Sequence, residues 1–573
     1  MFLNQDKLRS LASKLSFKRL ASGFSYLSIK EKIFFLSLAV LGFVGLVVFS
    51  FNFYFSRTVL IPRNGGVYTE GIISYPRFVN PIIPDQSDAE EALESLIFSS
   101  LFKSDNNGGV MPDLAETMNI FENGKVYLIT LRDNLFWHDN EKLTTQDIAF
   151  TIELFKNPEI KSPLGDFWRE ISVEILSDKT MKFTLKKNYQ FFPFYLTFKV
   201  LPKHLWQDIQ TNSLVFSELN LKPIGSGPYK FKKLIQEKDG KVLQYSLAAF
   251  DRYYLEGPYL ESFVLKFYPD ETTALAALRK KEINGLTGIP SVSLSNYRKK
   301  TLPMLSIFSL FFNNENELFQ DKNVRNAINL ATNKQKIIDE AINGAGQATD
   351  AVVIAKDFLS QNQSVYDPEK AREILKTAGW EDKDDDGILE KRLSTKTKTY
   401  TKLELSILYH DIPELGKVVE SIKNDLNQVG ISIVLKPLGI NEFSSRLQSR
   451  SYQMVLLGET SITGGRSDPY PFWHSTQVSS LGLNFPIYKN KDADKLLEQI
   501  RDPGSRNLAE LYLELNELIK FDQPGVSLYA SKLNFLIDDS FHVPEMGVLG
   551  SFGDRFSRAN EWYLYLKRVW IPQ

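Results

Sequence analysis

VYLITLRDNLFWHDNEKLTTQDIAFTIEL, residues 126–154, reads as a strand, a turn region and a helix in immediate succession. Apolar residues at Tyr127, Ile129 and Leu131 keep the period of two that a half-buried strand requires. Asp133-Asn134 and Asp139-Asn140 are turn pairs, because their short polar side chains tolerate positive φ and bond their own backbone. Thr144 is placed to cap a helix, with Asp147 three residues on as the reciprocal acid of a capping box. Ile148, Thr151, Ile152 and Phe155 then recur at i, i+3, i+4 and i+7, the spacing of one buried helix face.

Outward from this unit, strand and helix patterns alternate as far as about residue 220. Before it, VYTEGIISYPRFVNPII (residues 67–83) is a strand running into a Pro- and Asn-Pro-rich turn, and Ala89, Leu93, Leu96, Ile97 and Leu101 mark an amphipathic helix. After it, PIGSGPYKFKK (residues 223–233) pairs two glycines with a proline, enforcing a tight turn into a strand that starts near Tyr229. FDRYYLEGPYLESFVLKFY (residues 250–268) follows. Beyond LFFNN (residues 310–314) the helices lengthen. A strand at residues 403–408, a helix face of Val418, Val419, Ile422 and Leu426, and a strand at residues 431–435 form a βαβ crossover, so a parallel pair is expected in a separate α/β lobe.

Residues 33–55, IFFLSLAVLGFVGLVVFSFNFYF, carry no charge and are long enough to cross the hydrocarbon core of a bilayer as a helix. Residues 1–32 hold seven Lys or Arg against Asp6 and Glu31, whereas only Arg57 and Arg63 lie just beyond the apolar run. The positive-inside bias therefore predicts a cytoplasmic basic tail at 1–32, a transmembrane signal anchor at 33–55 and an extracytoplasmic domain. A cleaved signal peptide is the competing reading, but the run is long for one, and Ser50-Phe51-Asn52-Phe53 lacks the small residues of a cleavage site. Leu8, Leu11 and Leu15 among the basic residues also suit a short helix on anionic lipid. The first 57 residues hold eight basic and two acidic residues, leaving 60 basic and 67 acidic for the remainder. That balance gives no electrostatic footprint for nucleic acid. With more than 500 residues, this portion exceeds what one core supports, and at least two lobes are expected.

The chain has no cysteine, which excludes disulfides, thiolate metal sites, a cysteine nucleophile and a lipidated cysteine anchor. His-Glu-x-x-His, Walker A and Gly-x-Ser-x-Gly patterns are absent, and the five histidines are scattered, so nothing supports an enzyme. EDKDDDGILEK (residues 381–391) alternates Asp382, Asp384 and Asp386 before Gly387 like the first half of a calcium loop. Leu393 stands where an EF-hand needs its bidentate glutamate. The three aspartates are a candidate structural calcium site; no other cofactor is expected.

The string LRDNLFWHDNEKLTTQDIAFTIEL, the Asn-Pro turn, Gly225-Ser226-Gly227-Pro228-Tyr229 and residues 250–268 together resemble the extracellular solute-binding proteins, family 5, which serve peptide and nickel ABC importers. The resemblance covers most of residues 60–540. One departure is Lys281-Glu282-Ile283-Asn284 where the family has Gly-Glu-Ile-Asp. The resemblance implies an α/β, two-lobed type II periplasmic-binding fold with an extra subdomain in the first lobe, added to the N-terminal transmembrane helix. The expected organisation is lobe I at 60–85, its extra subdomain at 86–221, lobe I again at 222–310, lobe II at 311–530, and a return to lobe I with the C-terminal segment at 531–573. It also implies a protein, expected to be monomeric, that captures peptide or a related solute outside the cell and delivers it to a permease whose ATPase subunits supply the energy. A solute sensor and an extracellular peptide hydrolase are the alternatives. For ligand contacts the reading selects the backbone of Tyr68, Thr69 and Glu70 by strand addition, and the loop MVLLGETSITGGRSDPYPFWHS (residues 454–475) with Glu459, Arg466, Asp468 and Trp473. In peptide-binding members an aspartate of that loop pairs with the peptide ammonium; here only Asp468-Pro469 stays in register. Arg466 would pair with a ligand carboxylate.

Overall fold

The computed structural model describes residues 26–84, 86–105, 108–288, 292, 294–359, 365–393, 399–460, 467–502, 504 and 506–571. The chain divides into two compact units, Met1–Arg63 with Tyr565–Gln573, and Asn64–Leu564.

In the first unit, helix Ile29–Ser56 opens on a capping box between Ser28 and Glu31 and has no buried residue. Its length and composition suffice to cross a membrane. Strand Thr58–Arg63 follows at once and pairs antiparallel with Tyr565–Trp570, from Thr58↔Trp570 to Arg63↔Tyr565. The Trp570 ring meets Tyr54 at 5.6 Å edge-on, Arg57 lies 5.8 Å over Phe53, and Arg568 lies 4.3 Å over Phe55.

The second unit is built on one large mixed sheet. Its strand order is Ser432–Leu438, Glu404–His410, Met454–Thr460, Tyr297–Phe312, Gly525–Asp538, Gly285–Thr287, Val67–Ile72, Ser262–Phe267, Val242–Ala249 and Tyr229–Gln236. The long strands Tyr297–Phe312 and Gly525–Asp538 run antiparallel through the middle. Their register breaks between Pro303↔Lys532 and Ile307↔Ala530, leaving a bulge of Met304, Leu305 and Ser306 between the two halves. One apolar core lies on the Val67–Ile72 side and includes Tyr68, Phe263 and Trp562; a second, on the other side, includes Phe312, Ile407, Val419 and Leu456. These are lobes I and II. The βαβ crossover is present: Glu404–His410 and Ser432–Leu438 are parallel, joined by helix Pro413–Asn427, which buries Val418, Val419, Ile422 and Leu426.

The motif at residues 126–154 forms the heart of the extra subdomain. Strand Val126–Leu131 alternates buried and half-buried positions inside a four-stranded antiparallel sheet ordered Ala115–Phe121, Val126–Leu131, Thr180–Leu185 and Ile171–Ile175. Asn134 and Asn140 take φ of 57° and 75°. Thr144 and Asp147 close the capping box of helix Thr145–Lys156, and Ile148, Thr151, Ile152 and Phe155 are buried. The second landmark docks here. Gly227 N–H donates to the Ile97 carbonyl at 2.8 Å, ending helix Asp88–Ile97, and a Cβ on Gly225 would fall 1.9 Å from that same oxygen. His138 ties the two landmarks together: its N–H donates to Gly225 O (2.9 Å), Gly225 N–H donates to His138 Nδ1 (3.2 Å), and Nε2 bonds Gly227 O (3.0 Å). The helix therefore stops before Leu101, which sequence periodicity had joined to it; Leu101 is buried beyond the helix end.

Candidate functional site

Strand Val67–Ile72 lies between two partner strands. Ser262–Phe267 pairs with it along its whole length on one side, and Gly285 and Leu286 pair with Glu70 and Gly71 on the other. Thr69 is further tied to Asn284, donating to its Oδ1 at 2.9 Å and accepting from its N–H at 2.7 Å. An extended peptide adding to the strand at residues 68–71 would have to displace these partners. Tyr68 and Glu70 have no exposed surface. The Glu70 carboxylate accepts from the Tyr68 hydroxyl, from Thr287 Oγ1 at 2.8 Å and from Arg555 Nη1 at 2.7 Å. Arg555 is itself fully enclosed, its guanidinium 4.6 Å and 4.2 Å from the Phe552 and Phe556 ring centres. This is a paired charge holding the floor of lobe I.

In lobe II, Arg466 lies outside the described residues. Glu459, near the end of strand Met454–Thr460, is 5% exposed, and one of its carboxylate oxygens is sealed in without a hydrogen-bond partner among the described residues. Burial pushes its pKa up to about 8. Trp473 is buried, donating Nε1–H to the Val352 carbonyl at 3.2 Å and meeting Phe311 and Tyr488 edge-on. Asp468 sits where lobe II touches the extra subdomain. Its Oδ2 accepts from the Tyr189 hydroxyl (2.8 Å) and from Arg501 Nε (2.8 Å) and Nη2 (2.6 Å), while Oδ1 accepts from Tyr470 N–H (3.1 Å). Burial, then the Asp468 charge, raises the Tyr189 pKa well above the phenol range, so the hydroxyl remains a donor. Asn188 donates to Asp502 at 2.9 Å, and Gln190 to the Ile500 carbonyl, extending the seam. Beside it a crevice of about 700 Å³ is lined from both sides, by Phe167, Tyr189 and Tyr195 and by Tyr470, Glu498 and Arg501. No hydrogen bond joins the Tyr68–Glu70 group to Glu459 or Asp468 among the described residues.

The acidic turn brings Asp382, Asp384 and Asp386 together, all exposed, with ligand oxygens within 4.8 Å of one another. The Lys402 ammonium bonds Asp384 at 2.8 Å and also Asp386. A cation there would have to displace it.

A further charged cavity opens between lobe I and its extra subdomain, with a volume of about 440 Å³. Glu94, Glu91, Asp554, Lys103 and Lys199 line it, beside Gln86 and Ser100. Burial raises the carboxyl of Glu94 well above its usual value and that of Glu91 to about 7, raises Asp554, and lowers Lys199. Sequence reasoning missed these residues. One signal was available: Glu90, Leu93, Glu94 and Ile97 stand at i, i+3, i+4 and i+7, which puts two acids on the buried face of their helix. No such signal marks Lys199 or Asp554.

The model of the bacterial extracellular solute-binding proteins, family 5, matches residues 109–480. The chain belongs to that family. This solute-binding protein is 29% identical over 492 residues to the oligopeptide-binding protein AppA of Bacillus subtilis, covering 82% of the chain and 87% of AppA. Its structure is similar to that of AppA from Bacillus subtilis in complex with a nonapeptide, with a TM-score of 0.69, 25% identity and coverage of 88% of this chain and 100% of that one. NikZ from Campylobacter jejuni in complex with Ni(L-His) is similar at the same TM-score and coverages with 27% identity. The fold is thus the two-lobed type II periplasmic-binding architecture, and the family comprises binding proteins of ABC importers, not enzymes.

Proposed function

We propose that this solute-binding protein captures peptides or a related small solute outside the cell, held to the membrane by helix Ile29–Ser56, and delivers them to a permease. The supporting observation is its similarity to nonapeptide-bound AppA over the full length of that structure. The bulged crossing of Tyr297–Phe312 with Gly525–Asp538 supplies a hinge, and the seam around Asp468 is where the lobes meet. A ligand touching both sides would favour the closed arrangement by its differential affinity, and a permease would recognise that state. The anchor reading draws on the uncharged run 33–55 of that helix, on the basic residues before it, and on Tyr54, Trp570, Arg57 and Arg568 at its end, the residue types that collect at a membrane interface. Of the residues selected from sequence, we retain Glu459 as a ligand contact, because its buried oxygen, unpartnered among the described residues, is one that a ligand cation would satisfy; Asp468 we assign to closure.

Equilibrium dialysis of the full chain in detergent micelles, against a mixed peptide pool and separately against nickel–histidine, tests the reading with mass-spectrometric readout. Retention of intact peptide is expected. Retention of the nickel complex alone would move the chain to metal uptake, and cleaved peptide would overturn the binding role.

A further inference from the structure

We propose that the two-stranded ribbon of Thr58–Arg63 and Tyr565–Trp570 docks among anionic phospholipid headgroups of the extracytoplasmic leaflet, where Arg57, Arg63, Lys567 and Arg568 meet the phosphates. This rests on the anchor part of the reading above and goes beyond it by naming the lipid and the surface that selects it.

The ribbon is fastened where the apolar helix ends. Only Arg57 separates helix Ile29–Ser56 from strand Thr58–Arg63. Thr58 Oγ1 donates to the Tyr54 carbonyl (2.6 Å), Arg568 Nη1 donates to Thr58 Oγ1 (3.1 Å), and Ile571 N–H donates to the Arg57 carbonyl (2.9 Å). A helix that crosses the hydrocarbon core therefore delivers the first pair of the ribbon, Thr58 and Trp570, to the headgroup layer. Trp570 stands there against Tyr54, and both are residue types favoured at that depth.

Charge sets the ribbon apart from the rest of the chain outside the helix. Residues 57–63 and 565–573 hold four cations and no acid, whereas beyond residue 57 acids outnumber bases 67 to 60. Among the described residues none of the four forms an ion pair; Arg57 and Arg568 rest on the rings of Phe53 and Phe55.

Exposure points to lipid rather than to a flat protein partner. Val59, Leu60, Tyr565, Leu566 and Trp570 each keep between 40% and 58% of their surface exposed. Directly paired residues share a face, so the register puts Leu60, Leu566, Trp570 and Arg568 on one face, and Val59, Tyr565, Arg63 and Lys567 on the other. A protein partner would cover one face of such a ribbon. Both faces mix apolar and basic side chains, which suits a layer that surrounds the ribbon, with apolar groups toward the acyl boundary and cations at the phosphates. Two strands alone are marginal in water, so the ribbon gains from such surroundings. The chain leaves the ribbon at Arg63 and returns at Tyr565, which are register partners, so docking would hold both connections to the Asn64–Leu564 unit together.

The full chain, with Val59→Cys carrying an environment-sensitive dye, would be reconstituted in phosphatidylcholine vesicles with and without phosphatidylglycerol. Lifetime-resolved quenching by a trace of headgroup-spin-labelled lipid gives the ratio of docked to undocked ribbon. Docking is expected in the phosphatidylglycerol vesicles and should weaken as salt is raised. Each of Arg57→Gln, Arg63→Gln, Lys567→Gln and Arg568→Gln should lower the ratio about fivefold, the contribution of one basic residue near an anionic surface. Arg57→Lys and Arg568→Lys should keep it; loss as large as in the Gln variants would show a structural role and overturn the proposal. Equal quenching in both vesicle types, or quenching indifferent to the Gln substitutions, overturns it as well. An undocked ribbon on a chain that resists alkaline extraction overturns it while leaving the anchor intact, and release of the chain by alkali from both vesicle types sinks both.

Discussion

The most consequential single residues are buried charges whose partners differ in kind. Glu70 is matched by Arg555, and removing one member leaves the other uncompensated in the core, at a cost of about 3–5 kcal/mol. Glu70→Ala is accordingly expected to lower the urea midpoint sharply, and an unchanged midpoint would mean that the pair is not sealed from water. Glu459 has no such match among the described residues. Its pKa of about 8 means that the folded protein keeps a proton that the unfolded chain releases, between about pH 4.5 and 8. By linkage its contribution to stability falls as pH rises through that window, and the penalty is complete above about 8. Glu459→Gln should therefore melt higher than wild type at pH 9 and at nearly the same temperature at pH 4.5. A gap independent of pH would contradict this. Neither residue's state was legible in the sequence: Glu70 stands in an alternating strand as any exposed acid would, and its partner is 485 positions away.

Among elements, the docking of residues 223–233 on the end of helix Asp88–Ile97 carries the clearest demand. Gly225 and Gly227 are required by close approach: an added Cβ would strike backbone of Ile97, which cannot rotate away. Gly225→Ala is expected to destabilise by about 1–3 kcal/mol, the usual cost of overpacking, read as a lower denaturation midpoint. No loss would show that the helix end can shift. The strand, turn and helix of residues 126–154 were legible because each signal is local: alternation, Asn in positive φ, and a capping box act within a few residues of one another. The early stop of helix Asp88–Ile97 was not, since Leu101 continues the apolar period and only the distant Gly227 N–H takes the Ile97 carbonyl.

At the scale of the whole molecule, the seam of Tyr189, Asp468 and Arg501 couples lobe II to the extra subdomain. Tyr189→Phe removes a hydrogen bond to a carboxylate and is expected to shift the equilibrium toward the open form by about 1.5–3 kcal/mol. Because the chain has no cysteine, dyes on Ser172→Cys and Glu420→Cys label cleanly for single-molecule energy transfer. An unaltered distance distribution would remove Asp468 from closure.

Sequence alone determined the apolar helix, the absence of thiol chemistry, the local units and, through their order, the family, because periodicity, capping and composition are short-range physics. Tertiary structure decided which polar groups are spent and which are left unsatisfied. Asp468 meets Tyr189 across 279 positions, and Glu94 and Lys199 line one cavity. Such arrangements depend on how two lobes pack, and no window of residues along the chain contains them.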